Sequence, residues 1–160
     1  MRVLRFLIFF TSSTFFNYSF AANDYDIAFI ESGALNTSYE IVNQDKYDEL
    51  IDFMNDLAMK SIVKLNNEEM IFESIKLDSN GLEYRIYIKD YQSLSRLERL
   101  IYKKNLKEFM KHRMCDKAKL TQSYFFRLHT SGYVVYEILD DQFKSVDIIE
   151  THYNECQIEK

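Results

Sequence analysis

The chain has 160 residues, enough for one domain with a single core once a targeting segment is set aside. It contains no proline and only 3 glycines, which argues against a linker, a disordered tail or a second domain. All 25 acidic residues follow residue 22, whereas two of the 20 basic residues precede it, so residues 23–160 carry a net charge of 18 − 25 = −7. Nucleic-acid-binding proteins need a basic surface, so this charge argues against direct binding of nucleic acid.

The first 22 residues have the pattern of an export signal. Arg2 and Arg5 form a basic start, Phe6 to Phe10 begin an apolar run, and Ser19 to Ala21 form a small-x-small cleavage site. The alternative is an uncleaved anchor that holds the protein at the inner membrane through residues 3–20. We therefore expect a signal peptide or anchor over residues 1–22 and one exported domain over residues 23–160.

The first half of that domain predicts an arm, a helix and a hairpin. The apolar patch from Ile27 to Ile30 indicates a short edge strand or an extended arm. A helix is expected from Asp45, capped by Asp45 or Asn43, because apolar residues recur at helical spacing; its predicted buried side contains Leu50, Phe53, Met54, Leu57, Ala58 and Ser61. Residues 70–77 and 82–89 then read as two strands joined by the Asn80-Gly81 turn.

The second half predicts two helices and a second hairpin. A helix is expected from Ser93 or Ser95 to about Met114, with a predicted apolar side of Leu94, Leu97, Leu100, Ile101, Phe109 and Met110. Its predicted solvent face is basic, with Lys103, Lys104, Lys107, Lys111, His112 and Arg113. Residues 117–129 predict a short third helix, with Leu120, Tyr124, Phe125 and Leu128 facing inward. Residues 133–139 and 143–153 predict the last two strands, with Val134, Tyr136, Ile138, Val146 and Ile148 sharing a face.

These elements predict an α+β fold, in which two or three helices cover one face of an antiparallel sheet. The only two cysteines, Cys115 and Cys156, form an even set in an exported chain, so a disulfide between them is expected. The alternative is a pair of buried free thiols. A bridge closing this loop would stabilise the fold by about 4 kcal/mol in the chain-entropy model.

The sequence contains no recognisable catalytic or metal-binding motif. His112, His129 and His152 lack the spacing of metal ligands, and no motif for a nucleophile, a phosphate loop or a redox pair is present. We therefore expect no catalytic residue, no metal and no cofactor. Function is expected on the surface, through an exposed sheet face or edge and through exposed tyrosines; the candidates are Tyr25, Tyr39, Tyr87, Tyr91 and Tyr102.

The C-terminal unit resembles a group of small bacterial periplasmic domains, in which a cysteine after a helix pairs with one that closes a final hairpin. The residues that carry this likeness run from Cys115 through Phe125-Phe126-Arg127-Leu128, Ser131-Gly132, Tyr133 to Tyr136, Asp140-Asp141 and Val146 to Ile148 to Cys156. The chain departs from that pattern at Gln142-Phe143, where a glycine is usual, and it lacks a lipid-bearing cysteine. In length and composition it is also similar to the MyfF and PsaF accessory proteins of enteric fimbrial operons, which resemble ToxS.

This resemblance implies a non-enzymatic periplasmic accessory protein. Such a protein would bind and stabilise the periplasmic domain of a membrane-bound transcription activator and would thereby control fimbrial or virulence genes. The alternative is a periplasmic immunity or inhibitor protein that blocks a toxin or a hydrolase. A third hypothesis, an unrecognised hydrolase, predicts a deep pocket with convergent polar groups.

Overall fold

The computed structural model describes residues 24–116 and 120–157. Over these residues the helices are α1 (Asp24–Glu31), α2 (Gln44–Ile62), α3 (Arg96–Met114) and α4 (Tyr124–His129). The strands are β1 (Met70–Asp78), β2 (Gly81–Ile88), β3 (Tyr133–Leu139) and β4 (Ser145–His152). The signal or anchor predicted for residues 1–22, and residues 117–119 of the predicted third helix, lie outside the described residues.

The α+β fold is confirmed, but the sheet is mixed rather than wholly antiparallel. Its order is β1-β2-β3-β4. Each predicted hairpin is antiparallel, whereas β2 and β3, which join the two hairpins, are parallel. The reason is that the chain leaves β2 and returns to the start of β3 through α3 and α4, as neighbouring parallel strands require.

Gly81 lets β2 begin directly beside β3. Its φ is +132°, and a Cβ atom built there would lie 2.0 Å from the carbonyl oxygen of Tyr133. Backbone hydrogen bonds reinforce the contact, because Ser131 N donates to Ser79 O and Tyr133 N donates to Asn80 O. The glycine of the predicted turn is therefore needed both for the turn and for the parallel pairing.

Helices cover one face of the sheet, as expected. The apolar residues of that inner face are Met70, Phe72, Ile75, Leu77, Leu82, Tyr84, Ile86, Ile88, Val134, Tyr136, Ile138 and Ile149, and they are buried or half-buried. The opposite face carries charged residues, among them Arg85, whose Nε donates to Glu137 Oε2 at 2.6 Å. The clean alternation of β2 therefore identified the covered face correctly.

The predicted face of β4 was wrong for Ile148, which is exposed, whereas Val146 is half-buried and packs against the core. Ile138 pairs with Asp147 and Tyr136 pairs with Ile149, so Asp147 and Ile149 face the helices and Ile148 points to the exposed side. The register shifts between Ile138 and Leu139, which leaves Val146 without a partner in the pairing. This bulge, together with an inward aspartate, breaks the apolar alternation on which the prediction depended.

Residues 27–30 belong to a helix, not to an edge strand or an extended arm. α1 is held by long-range contacts: the buried carboxylate of Asp26 accepts hydrogen bonds from Tyr124 N and Phe125 N, and the ring of Phe29 stacks on Phe125 at 3.9 Å. The partner residues lie about 100 positions away in sequence, so tertiary packing stabilises α1 as a helix. On α4, Phe125 is buried as expected, but Tyr124 and Leu128 are exposed.

The predicted disulfide is confirmed. Cys115 caps the C-terminus of α3 and is bonded to Cys156, which lies in the 3₁₀ turn after β4, with a Cα–Cα distance of 5.2 Å. The neighbouring segment is pinned to the same helix end, since Thr121 Oγ1 and Gln122 Nε2 both donate to Met114 O. The bridge thus ties the last turn of α3 to the turn that follows the edge strand β4.

Removal of this bridge should destabilise the fold by about 4 kcal/mol, because the separation of 41 residues adds considerable chain entropy to the unfolded state. We expect Cys115→Ser to lower the urea midpoint, and reductant to lower the midpoint of the wild type to a similar degree. The variant itself is the control, since reductant should not change its midpoint. Equal midpoints for the oxidised wild type and the variant would contradict a structural role for the bridge.

Candidate functional site

The histidines do not assemble into a site. His112 is exposed on α3, His129 Nε2 lies 2.6 Å from Tyr39 O, and His152 Nε2 lies 2.9 Å from Ser131 O. Among the described residues, no group of three or more histidine, cysteine, aspartate or glutamate side chains is placed to hold a metal ion. The features that could bind something are instead a helix surface and a cavity.

The helix surface belongs to α3, whose start is well defined. Ser95 caps the helix: its side chain accepts from Glu98 N at 3.3 Å, and Glu98 Oε2 accepts from Ser95 N at 2.8 Å. This capping box satisfies two backbone donors and fixes where the helix begins. The buried side then follows the helical period through Leu106, Met110 and Met114.

Opposite that buried side lies an exposed apolar patch, which we call the α3 stripe: Leu97, Leu100 and Ile101. These side chains are 67%, 56% and 45% exposed. The sequence placed all three in the core, and that prediction was wrong. Single exposed leucines are ordinary, but three large apolar side chains on one face within little more than one turn form a surface that a partner can cover.

The predicted basic face of α3 is only partly free for a partner. Lys103 donates to Asp147 Oδ1, Lys107 Nζ lies 3.6 Å from Glu155 Oε1, and Arg113 lines the cavity described below. Lys104 and His112 are exposed, and so is Arg96 beside the α3 stripe. Some basic residues of α3 therefore bind carboxylates of the domain, one lines the cavity, and others are exposed. Among the exposed ones, Arg96 and Lys104 are the cations that flank the stripe.

The rotation of α3 about its own axis is set by Asp147 of β4 and its hydrogen-bond donors, which we call the Asp147 anchor. Asp147, which faces inward, accepts hydrogen bonds from Tyr91 OH at 2.8 Å and from Lys103 Nζ. Burial of the carboxyl opposes its ionisation, but these two hydrogen bonds outweigh burial and hold the pKa of Asp147 below its usual value. Because Lys103 points to β4, Leu97 and Ile101, which lie far from it around the helix, are turned away from the sheet.

The anchor predicts a pH-dependent stability. A carboxyl whose pKa is lowered on folding adds stability above its unfolded pKa of about 4, and this contribution is lost as the pH falls through the folded value. We expect Asp147→Asn to cost about 1–3 kcal/mol at pH 7 and progressively less in acid. Urea unfolding across pH measures this difference.

Asp56→Asn, which removes an exposed carboxylate of α2, is the charge-matched control. It should change stability by no more than about 0.5 kcal/mol. A loss in Asp147→Asn that is the same at acidic and neutral pH would show that the ionised carboxylate is not what holds α3.

The cavity lies between α2, α3 and the inner face of the sheet. It has a volume of about 210 Å³, and most of its lining is apolar. Leu57 and Ala58 of α2 form one wall, Phe109 and Met110 of α3 form another, and Tyr84 on β2 contributes to the sheet side. Asn55 and Thr121 also line it, and both make hydrogen bonds to backbone groups. The other polar residues of the lining are Arg113 and the three tyrosines Tyr25, Tyr84 and Tyr136.

Two stacked phenols lie on the sheet side of the cavity. The rings of Tyr84 and Tyr136 are 4.6 Å apart on neighbouring strands. Burial raises the pKa of Tyr84 to about 12 and holds that of Tyr136 well above its usual value, although the nearby positive charge of Arg113 opposes both shifts. Both phenols therefore remain protonated at neutral pH.

The predicted surface tyrosines divide into several groups. Tyr91 is buried and binds Asp147, so the prediction that it is exposed was wrong. Tyr102 packs beside it. Tyr25 lines the cavity. Tyr39 stacks on Tyr124, and Tyr87 lies near Phe143 at the tip of the second hairpin. The α3 stripe and the cavity replace these residues as the candidate sites.

The edge of β1 is a poor place for a partner strand. Asn55 from α2 accepts from Leu77 N at 2.7 Å and donates to Leu77 O, while Asn66 accepts from Phe72 N at 2.8 Å. These amides occupy backbone groups that an added strand would need. The expectation of binding through a sheet edge is therefore disfavoured at β1.

Comparisons with protein-family models, with curated proteins and with solved structures gave no significant match. Within the described residues, none of the helices has both the length and the apolar content needed to cross a membrane.

Proposed function

We propose that the protein is a non-enzymatic periplasmic accessory protein that binds and stabilises the periplasmic domain of a membrane-bound transcription activator, and thereby controls fimbrial or virulence genes. The observation that carries the proposal is the α3 stripe. In the described part of the chain, Leu97, Leu100 and Ile101 form an apolar helix surface that remains largely exposed. Apolar helix faces of this kind bind in complementary grooves of partner proteins.

The surroundings of the stripe indicate the chemistry of the partner. Arg96 and Lys104 are exposed beside it, on a chain whose overall charge is −5. A matching surface would be an apolar groove with an acidic rim, because complementary charges guide association and exclude wrong partners. The anchor at Asp147 and the capping box at Ser95 hold α3 in place, so little ordering cost is expected on binding.

The disulfide supports the proposed compartment. Bridges of this kind persist in oxidising environments such as the bacterial periplasm and are rare in the cytosol. The sequence pattern of residues 1–22 agrees with this, either as a cleaved signal or as an inner-membrane anchor. In both cases the domain would meet an activator that spans the same membrane.

The direct test is a triple variant of the stripe, Leu97→Gln, Leu100→Gln and Ile101→Gln. The protein is co-expressed with the membrane-bound activator encoded nearest to it in its genome, and both activator level and co-purification are measured. The wild type should raise the activator level. The triple variant should bind the activator about 100-fold more weakly than the wild type does, because interface anchors each contribute at least about 1 kcal/mol. Its urea midpoint should stay close to that of the wild type.

Phe143→Ala is the matched control, since it removes an exposed apolar side chain elsewhere and should leave activator binding intact. An activator level that is the same with and without the protein would refute the proposed function. Normal binding by the triple variant would refute the α3 stripe as the surface.

A second candidate function is a periplasmic immunity or inhibitor protein, and the tip of the β3–β4 hairpin favours it. Phe143 is 47% exposed and has a φ of +57°, an uncommon conformation for an aromatic residue. Asp140 Oδ1 accepts from Gln142 N and Lys144 N and so fixes the tip. A fixed, protruding aromatic ring could enter an enzyme's cleft; in that case Phe143→Ala, and not the stripe variant, would abolish binding.

A further inference from the structure

The cavity between α2, α3 and the sheet suggests a ligand of its own, independent of the α3 stripe. Its lining includes Met54, Met110 and Met114, whose flexible thioether side chains adapt to irregular apolar shapes. Apolar cavities of comparable size accept apolar molecules.

The volume limits the size of the occupant. At about 210 Å³, the cavity is larger than the roughly 150 Å³ cavity that accepts benzene. Since that smaller cavity holds the six carbons of benzene, a cavity of this volume holds about eight carbons on the same scale. A single chain of about eight carbons fits this space, whereas a large fused-ring molecule does not.

One side of the cavity is open to a chain. Leu57 lines the cavity and is nevertheless 42% exposed, and Phe53, one turn earlier on α2, is also exposed. The cavity therefore reaches the surface beside α2. Large apolar side chains at such an opening allow a flexible chain to enter without unfolding the domain.

The polar groups of the lining favour an anionic head group. Arg113 of α3 contributes a positive charge to the cavity, and the phenols of Tyr84 and Tyr136 lie close enough to feel that charge. A protonated phenol can donate a hydrogen bond, and a guanidinium pairs well with a carboxylate.

We propose that this cavity binds one medium-length acyl chain with an anionic head group, the chain lying among the apolar walls and the carboxylate near Arg113. This binding does not depend on the proposed function: a ligand-binding domain could exist without an activator partner, and an activator could be bound without a ligand. Failure of either can therefore be recognised separately.

The test is calorimetric titration of the full, oxidised chain with hexanoate, octanoate, decanoate and dodecanoate, each below its micellar concentration. Affinity should rise about fourfold for each added methylene up to about eight carbons and then level off, because further methylenes find no space. Absence of binding for all four acids would overturn the proposal. A rise that continues unchanged to dodecanoate would overturn it too, since that is the behaviour of an open apolar surface.

Variants then assign the binding to the cavity. Ala58→Phe, which fills the cavity from α2, should weaken octanoate binding at least tenfold. If Ala58→Phe does not fold, the milder Ala58→Leu takes its place and should shift the preferred ligand to shorter chains. Arg113→Gln should weaken octanoate but leave 1-octanol unchanged. Lys104→Gln, an exposed cation on the same helix, should bind octanoate as the wild type does. Normal octanoate binding by folded Ala58→Phe or Ala58→Leu would refute the site.

Discussion

The structure depends on the parallel pairing of β2 with β3. The two hairpins at the ends of the sheet could each form alone, but neighbouring parallel strands require the chain to cross the sheet between them. That crossing contains α3 and α4 and places them over the inner face, above Tyr84 and Tyr136. Gly81 permits the close approach at which the pairing begins, because any side chain there would collide with the Tyr133 carbonyl. The placement of α3 and α4 over the inner face, and with it one wall of the cavity, follows from this one connection.

Two long-range links hold the crossing in place. The Cys115–Cys156 bridge joins the end of α3 to the turn after β4, and the Asp26 carboxylate joins α1 to the first amides of α4. Both links act near the middle of the crossing, where α3 ends and α4 begins, while the cavity leaves the space above the sheet only partly filled. A rigid frame around an apolar space, with an apolar stripe on the outer surface of the same helix, is suited to binding apolar groups.

Much of the fold could be predicted from the sequence, because local periodicity determines it. The helices α2 and α3, both hairpins and the disulfide were all predicted near their observed bounds. The parallel pairing was missed because alternation within a hairpin carries no information about the neighbouring hairpin. α1 was missed because its four apolar residues are too few to show a period, and Asp26 and Phe29 find their partners only in α4. The site was missed for a related reason: Leu97, Leu100 and Ile101 have the same spacing as a buried stripe, and only the inward Asp147, which binds Lys103, shows that α3 is turned the other way.

The central claim is that the outer surface of α3 binds the activator. Hydrogen exchange of the full chain, alone and in complex with the activator's periplasmic domain, tests it most directly, because it maps the contact without altering a residue. The account predicts that amides of residues 96–101 exchange about tenfold more slowly in the complex, while those around Phe143 are unchanged. A complex in which residues 96–101 exchange as in the free protein would contradict it.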